Sequence, residues 1–389
     1  MGRASRQLPR RGILATMPDA EPRIAARRSR NQNERNRNTA ETRWTQRKIA
    51  PVFSASIASL RLNSARDFTT PSAMPIRPRH LEPGATLGII APASAPPKPK
   101  NVDLAIAALE KLKFKIKLAK NVHKRLGFLA GSDRERAADV MQMFTDRKVD
   151  GIICVRGGYG TARLLPLLDY AAIKRNAKIF VGYSDITSLH CAFLVKSDLI
   201  SFHGPMLNSD FTHDDLPAFT TQSFLRTLMR PEPYGDIAAG YDGKTKTLRG
   251  GVANGQLIGG NISILCASLG TPWQPPFRGR ILFLEDLDEV PYRFDRMLTQ
   301  LLNAGLLQQV AGIAIGINKN CFDPNAKTAK EYRQTMEDVF RDRLLPLKIP
   351  VVMDLPFGHI PHNATLPVGA HVTLDATNGR LIIVGPAVT

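Results

Sequence analysis

Short, uninterrupted apolar runs separated by helical stretches most constrain how this chain can fold. Leu87-Gly88-Ile89-Ile90-Ala91, Gly151-Ile152-Ile153-Cys154-Val155 and Ile179-Phe180-Val181 show no polar alternation. Each therefore reads as a strand covered on both faces. Between the first two, residues 105–113 read as a helix with Leu104, Ala108 and Leu112 on one side, and 114–119 as an edge strand in which lysines alternate with apolar residues. Ser132 followed by Glu135 forms a capping box, and Val140, Met143 and Phe144 supply the buried stripe of the helix it opens. Residues 161–170 read as a further short helix. This β-α-β-α order predicts a mostly parallel sheet with helices on both faces, whose ligands bind beyond the carboxyl ends of the strands.

Residues 211–250 change character. Pro231, Pro233, Gly235, Gly240 and Gly243 break up any long element, and a linker or crossover is expected there. Strands are expected again at 279–284, 311–317 and 350–355, with closing β structure at 371–384. A helix carrying Phe294, Met297, Leu298, Leu301 and Leu302 is expected to stop at Gly305, and another to span 328–343. No internal repeat is visible. The resulting boundaries are 1–73, 75–235 and 236–389.

The first 73 residues stand apart. They carry fifteen Arg/Lys against five acids, a net +10 of the chain's +19. They show no sustained period, and such a stretch buries too little apolar surface to offset chain entropy. It reads as a disordered basic extension. An export signal with an overlong basic region, an organelle transit segment and a mis-assigned start all compete, and the last is favoured because Met74 stands just ahead of the first core strand. With the charge concentrated there, the folded body is not expected to bind nucleic acid. No apolar run approaches the roughly 18–20 residues that span a bilayer, so no membrane segment is expected. The four cysteines, Cys154, Cys191, Cys266 and Cys321, lie far apart with no Cys-x-x-Cys, which argues against structural zinc and for core thiols in a reducing compartment.

Chemistry is suggested first by Gly182-Tyr183-Ser184-Asp185, where a strand ends, a glycine and a serine follow, and a helix begins. That is the layout of a nucleophile elbow, although the usual Gly-x-Ser-x-Gly pattern is only half matched, since Asp185-Ile186 follows the serine where the pattern has x-Gly. A serine hydroxyl needs a base, and the base an orienting group. Among the histidines, His359 follows a strand and a glycine and is the leading base; it also fits a plain loop histidine. His190 and His362 read as structural, and His203 is a third possibility. Glu285 closes a buried strand, where a carboxylate is costly without a partner, and is the leading orienting acid. Asp286, Asp288 and Glu289 read as solvated or helix-starting acids. Arg156-Gly157-Gly158-Tyr159-Gly160 fails the dinucleotide and P-loop spacings. It serves better as a source of backbone amides, with Gly158 and the amide of Asp185 forming an oxyanion hole.

Taken in order, Ile89-Ile90-Ala91-Pro92-Ala93-Ser94, the Arg156–Gly160 loop, Gly182–Asp185, His203-Gly204-Pro205-Met206, Gly259-Gly260-Asn261-Ile262, Leu284-Glu285-Asp286 and Phe357-Gly358-His359 resemble the LD-carboxypeptidase family of serine peptidases. The likeness covers about residues 80–389, and the family carries Gly-Tyr-Ser-Asp at the elbow. It implies a Ser184–Glu285–His359 triad. It also implies a flavodoxin-like or amidotransferase-like parallel-sheet N-terminal domain and a smaller mixed α/β C-terminal domain, with the site between them. The implied reaction is metal-free and cofactor-free hydrolysis, in the cytoplasm, of the amide to a terminal D-alanine in muropeptide tetrapeptides during cell-wall recycling; homodimers are common in the family. A carboxypeptidase must also hold a terminal carboxylate, for which Arg156, Arg163 and Arg293 are candidates, with Tyr159 a further substrate contact. Two rival readings stand beside this one. Microcin C self-immunity proteins cleave peptidyl or aminoacyl nucleotides, although Pro291-Tyr292-Arg293-Phe294-Asp295-Arg296 looks more like the carboxypeptidase branch. The other rival is a muropeptide-binding protein without turnover, against which the complete triad argues.

Overall fold

Two sheets carry the residues singled out above. The computed structural model describes residues 74–212, 216–322 and 334–389. The basic segment 1–73 and the start of the helix expected over 328–343 lie outside the described residues. In chain order the first half runs β1 (Thr86–Ile90), α1 (Lys100–Lys111), β2 (Lys115–Leu118), α2 (Asp133–Thr145), β3 (Gly151–Cys154), α3 (Tyr170–Arg175), β4 (Ile179–Gly182), α4 (Thr187–Ser197), β5 (Ser201–His203) and α5 (Ala218–Met229). The second half runs β6 (Gly235–Asp236), β7 (Lys246–Arg249), β8 (Val252–Asn261), α6 (Ile262–Ala267), β9 (Ile281–Glu285), α7 (Pro291–Asn303), β10 (Gly312–Gly316), α8 (Met336–Leu344), β11 (Val351–Leu355), β12 (Leu366–Val368), β13 (His371–Asp375) and β14 (Arg380–Ile383).

The first sheet has the order β12-β5-β4-β3-β1-β2. Its five N-terminal strands are parallel, and β12 closes one edge antiparallel to β5. The apolar runs of β1, β3 and β4 are buried, as continuous hydrophobic strands require. Their core includes Phe144, Phe180 and Phe193, with the Phe180 and Phe193 rings edge to face at 4.9 Å. The second sheet runs β6-β14-β13-β8-β9-β10-β11-β7. Its centre, β8 to β11, is parallel, and the flanking pairs are antiparallel. Phe294 of α7 packs against Phe340 of α8 at 5.2 Å over one face of this sheet.

Local signals held where they were strong. The capping box at α2 is present on both sides, Ser132 to Glu135 and back. Three expectations are corrected. The buried face of α1 is Val102, Ala105 and Leu109, while Leu104 faces solvent; the helix begins at Lys100, five residues before the expected start, and this places its stripe differently. Residues 161–170 form two single 3₁₀ turns, Thr161–Arg163 and Leu165–Leu167, because Pro166 prevents a continuous α-helix. The stretch 211–250 contains the twelve-residue α5, which buries Phe219, Phe224 and Leu228. Every breaker noted in that stretch lies after α5, so the helix is entered and completed before the irregular chain starts.

In both sheets the carboxyl ends of parallel strands carry the chemistry-bearing residues. Arg156 follows β3, Ser184 follows β4, Asn261 and Glu285 end β8 and β9, and His359 follows β11.

Candidate active site

At the end of β4 the backbone turns sharply. Tyr183 is extended at φ −148°, and Ser184 sits in the left-handed region at φ 65°. A non-glycine residue there is strained, and the strain aims the serine hydroxyl away from the sheet. The glycines beside it are required by close approach. A Cβ on Gly182 would lie 2.9 Å from the Ile186 side chain, and one on Gly157 would lie 2.8 Å from Ser184 Cβ. Asp185, next after the serine, has a structural use. Its carboxylate accepts the Thr161 N–H at 2.9 Å, and its carbonyl accepts the Thr161 hydroxyl at 2.5 Å. Burial raises the Asp185 pKa, against the lowering effect of these bonds. Asp185 thus ties the Arg156–Gly160 loop to the elbow.

That loop is braced from two further sides. Ser94 donates its N–H to the Gly157 carbonyl at 3.3 Å, and its hydroxyl oxygen accepts the Tyr159 N–H at 3.1 Å. Arg136, on α2, is buried and donates to the carbonyls of Pro92 and Gly160. Arg136 carried no sequence signal beyond its place on the capped helix, since its burial depends on two loops distant in sequence.

From the second sheet, His359 Nδ1 lies 2.7 Å from Glu285 Oε2. The Glu285 side chain is 0% exposed and that of His359 12%. Burial pulls the His359 pKa down, but the charge and hydrogen bond of Glu285 outweigh it and the net direction is up. The imidazole meets the Tyr183 ring edge to face at 4.9 Å, so the residue before Ser184 also fixes the histidine. Ser184 and His359 line one cleft of about 290 Å³, together with Arg156, Gly158, Asp185 and Asp286. No hydrogen bond joins Ser184 Oγ to His359 among the described residues.

The other histidines take different places. His190 bridges Ser201 Oγ and the Gly182 carbonyl, each at 2.8 Å, and burial pushes its pKa down to about 3. His203 is buried behind Tyr183 and Phe283, with its pKa pushed down to about 3 by burial. His362 packs against Phe219 and Tyr241, away from the cleft.

Asp286 corrects the sequence reading of a solvated acid. It is buried and accepts from Asn261 Nδ2 at 2.8 Å, from the Ser263 hydroxyl at 2.5 Å and from the Leu287 N–H at 2.8 Å. It thereby binds the end of β9 to the start of α6. Asn261 also donates its N–H to Thr187 Oγ1 at 3.0 Å, which couples β8 to the helix after the elbow. Gly260 permits this contact, because a Cβ there would lie 2.4 Å from Thr187 Oγ1.

The three arginine candidates separate. Arg156 lines the cleft. Arg163 is paired with Asp133 at 2.9 Å. Arg293 lines a neighbouring cleft with Arg296 and Glu289. Tyr159 is half exposed and leans on Phe128 at 5.6 Å. Among the described residues no group of three His, Cys, Asp or Glu side chains could hold a metal ion, and no helix is long and apolar enough to cross a membrane.

A strained serine on one sheet and a histidine paired with a buried glutamate on another thus face one cleft. The family comparison agrees with the architecture: residues 87–204 match the LD-carboxypeptidase N-terminal domain and residues 254–374 the LD-carboxypeptidase C-terminal domain. The chain belongs to the LD-carboxypeptidase family of peptidases. It is 38% identical over 308 residues to the "Probable murein peptide carboxypeptidase" of Bacillus subtilis (strain 168), covering 79% of this chain and 94% of that protein. The solved muramoyltetrapeptide carboxypeptidase from Oxalobacter formigenes superposes with a TM-score of 0.67 at 34% identity, over 78% of this chain and 100% of that one. The microcin C7 self-immunity protein MccF of Escherichia coli is 28% identical over 337 residues, 79% of this chain and 96% of its own. The structure of MccF with glutamyl sulfamoyl guanosine superposes with a TM-score of 0.73 at 27% identity, over 81% of this chain and 100% of that one.

Proposed function

We propose that this protein is a serine-type LD-carboxypeptidase that hydrolyses the amide bond to the terminal D-alanine of muropeptide tetrapeptides. It would act in the cytoplasm during cell-wall recycling, as a homodimer, without metal or cofactor. On this reading residues 75–235 carry the nucleophile and residues 236–389 the acid and base. The observation that carries it is the His359–Glu285 contact at 2.7 Å in the cleft that Ser184 also lines.

The proposed steps follow from the groups present. His359 Nε2 takes the Ser184 proton as Oγ attacks the carbonyl of the penultimate residue, and Glu285 holds the Nδ1 proton and steadies the imidazolium. The oxyanion is received by the backbone amides of Gly158 and Asp185; one such donor is typically worth about 3–4 kcal/mol of barrier. The imidazolium then protonates the departing D-alanine nitrogen. Water, deprotonated by His359, cleaves the ester and restores Ser184. Closure of the Ser184–His359 gap on substrate binding belongs to this mechanism, since catalytic hydrogen bonds often tighten only in the complex. Arg156, Tyr159 and Arg293 are the proposed substrate contacts.

The likeness to MccF favours a second reading, hydrolysis of peptidyl or aminoacyl nucleotides. Incubation with a muramyl tetrapeptide and, separately, with an aminoacyl sulfamoyl adenosine distinguishes the two. The first reading expects D-alanine release from the tetrapeptide. Cleavage of the nucleotide conjugate alone would replace it, and tight muropeptide binding with no product would leave only a binding protein.

A further inference from the structure

We infer that Arg156, backed by Arg125, is the receptor for the terminal carboxylate of the substrate. The inference rests on the carboxypeptidase reading of the same cleft and deepens it by naming the group that makes the enzyme an exopeptidase.

Arg156 is a half-buried cation with no acid beside it. Among the described residues it makes no ion pair, and its one hydrogen bond is a long contact of 3.5 Å from Nη1 to the Ala95 carbonyl. A second guanidinium stands near it. Arg125 donates from Nη2 to the carbonyl of the next residue, Pro96, at 2.7 Å, and it too makes no ion pair among the described residues. Burial, and then the charge of Arg125, pull the Arg156 pKa below the ordinary arginine value. Two like charges hung from adjacent carbonyls, one of them partly desolvated, form an arrangement that an anion between or beside them relieves. The other arginines of the sequence argument lack this property: Arg163 already faces Asp133, and Arg293 opens into the neighbouring cleft opposite Glu289.

The position suits the chemistry. An ideal Cβ on Gly158 would lie 3.5 Å from Arg156 Nη2, so the guanidinium sits against the glycine whose amide is proposed to face the oxyanion. The carboxylate of a leaving amino acid is only a few bonds from the scissile carbonyl, and a guanidinium can receive it with two parallel hydrogen bonds. His359, with Glu285 buried behind it at 2.7 Å, and Asp286 line the same cleft as Arg156. A peptide that continues past the scissile residue, or ends in an amide, would leave the guanidinium desolvated and unpaired.

The test is the ratio of kcat/KM for a muramyl tetrapeptide with a free terminal carboxylate to that for the same peptide ending in D-alaninamide. The wild type is expected to prefer the acid by about 100-fold or more. In Arg156→Met the ratio should collapse toward one. In Arg156→Lys, which keeps the charge but loses the fork, it should be intermediate, and this variant carries the test if the methionine protein does not fold. Arg163→Met, whose guanidinium already faces Asp133, should keep the wild-type ratio. A wild-type ratio near one, or a ratio that survives Arg156→Met, overturns the inference while leaving the peptidase reading in place. Failure of the wild type to release D-alanine or its amide from either peptide removes that reading, and the inference with it.

Discussion

Glu285 Oε2 accepts from His359 Nδ1 at 2.7 Å, joining the end of one strand to the loop after another. Neither partner can be replaced without loss to the other, because the carboxylate is fully buried and its charge is offset mainly by this contact. Glu285→Gln keeps the shape and removes the charge. It is expected to lower kcat by roughly 10³–10⁴-fold, as the histidine loses its fixed tautomer and the stabilisation of its protonated form. Steady-state kinetics on a muramyl tetrapeptide, with circular dichroism to verify folding, checks this.

The same contact sets a pH dependence. The His359 pKa is held above the ordinary 6.5 because Glu285 outweighs burial. A base must be neutral, so activity is expected to fall as pH drops through a midpoint above 6.5. Stability runs the other way. A raised folded-state pKa contributes stability fully below about 6.5, and that contribution is lost as pH rises through the folded value. Glu285→Gln should move the acid limb of the residual activity downward. A profile flat from pH 5 to 8 would count against His359 as the base.

Gly157 presses on the elbow. A methyl group there would meet Ser184 Cβ at 2.8 Å and the Asp185 amide at 3.2 Å. Gly157→Ala is expected to displace the nucleophile and reduce kcat/KM by about 100-fold. The accompanying loss of stability should be about 1–3 kcal/mol, measured by denaturant unfolding.

Asp286 is predicted to act on the frame rather than on the bond. Asp286→Ala removes the acceptor for Ser263, Asn261 and Leu287. Leaving these buried donors unpaired should cost about 1–3 kcal/mol of unfolding free energy. A thermal melt should show the loss, and Asp286→Asn should show less of it.

Much of this was legible before any coordinates. The apolar runs at 87–91, 151–155 and 179–181 specify buried parallel strands through composition alone, and the Ser132–Glu135 box is a local signal that needs no tertiary context. Ser184, Glu285 and His359 could be named because each follows or ends a strand. That Ser184 and His359 line one cleft could not be derived, since it requires the registry of two sheets. Asp286 was misread for a related reason: sequence shows a run of acids, while burial of one of them depends on α6 starting beside it. The burial of Arg136 depends likewise on two loops brought together by the fold. Pro166 was a visible signal that residues 161–170 would not hold one helix. α5 carries Phe219, Phe224 and Leu228 at helical spacing, obscured by the glycines and prolines that follow it.

The most direct test of the central claim is mass spectrometry of a mixed muropeptide pool treated with wild-type protein and with Ser184→Ala. Wild type is expected to convert tetrapeptides to tripeptides with release of one D-alanine each. Ser184→Ala should still bind the tetrapeptides but yield no product above background. Undiminished conversion by the alanine variant would contradict the assignment of Ser184 as nucleophile.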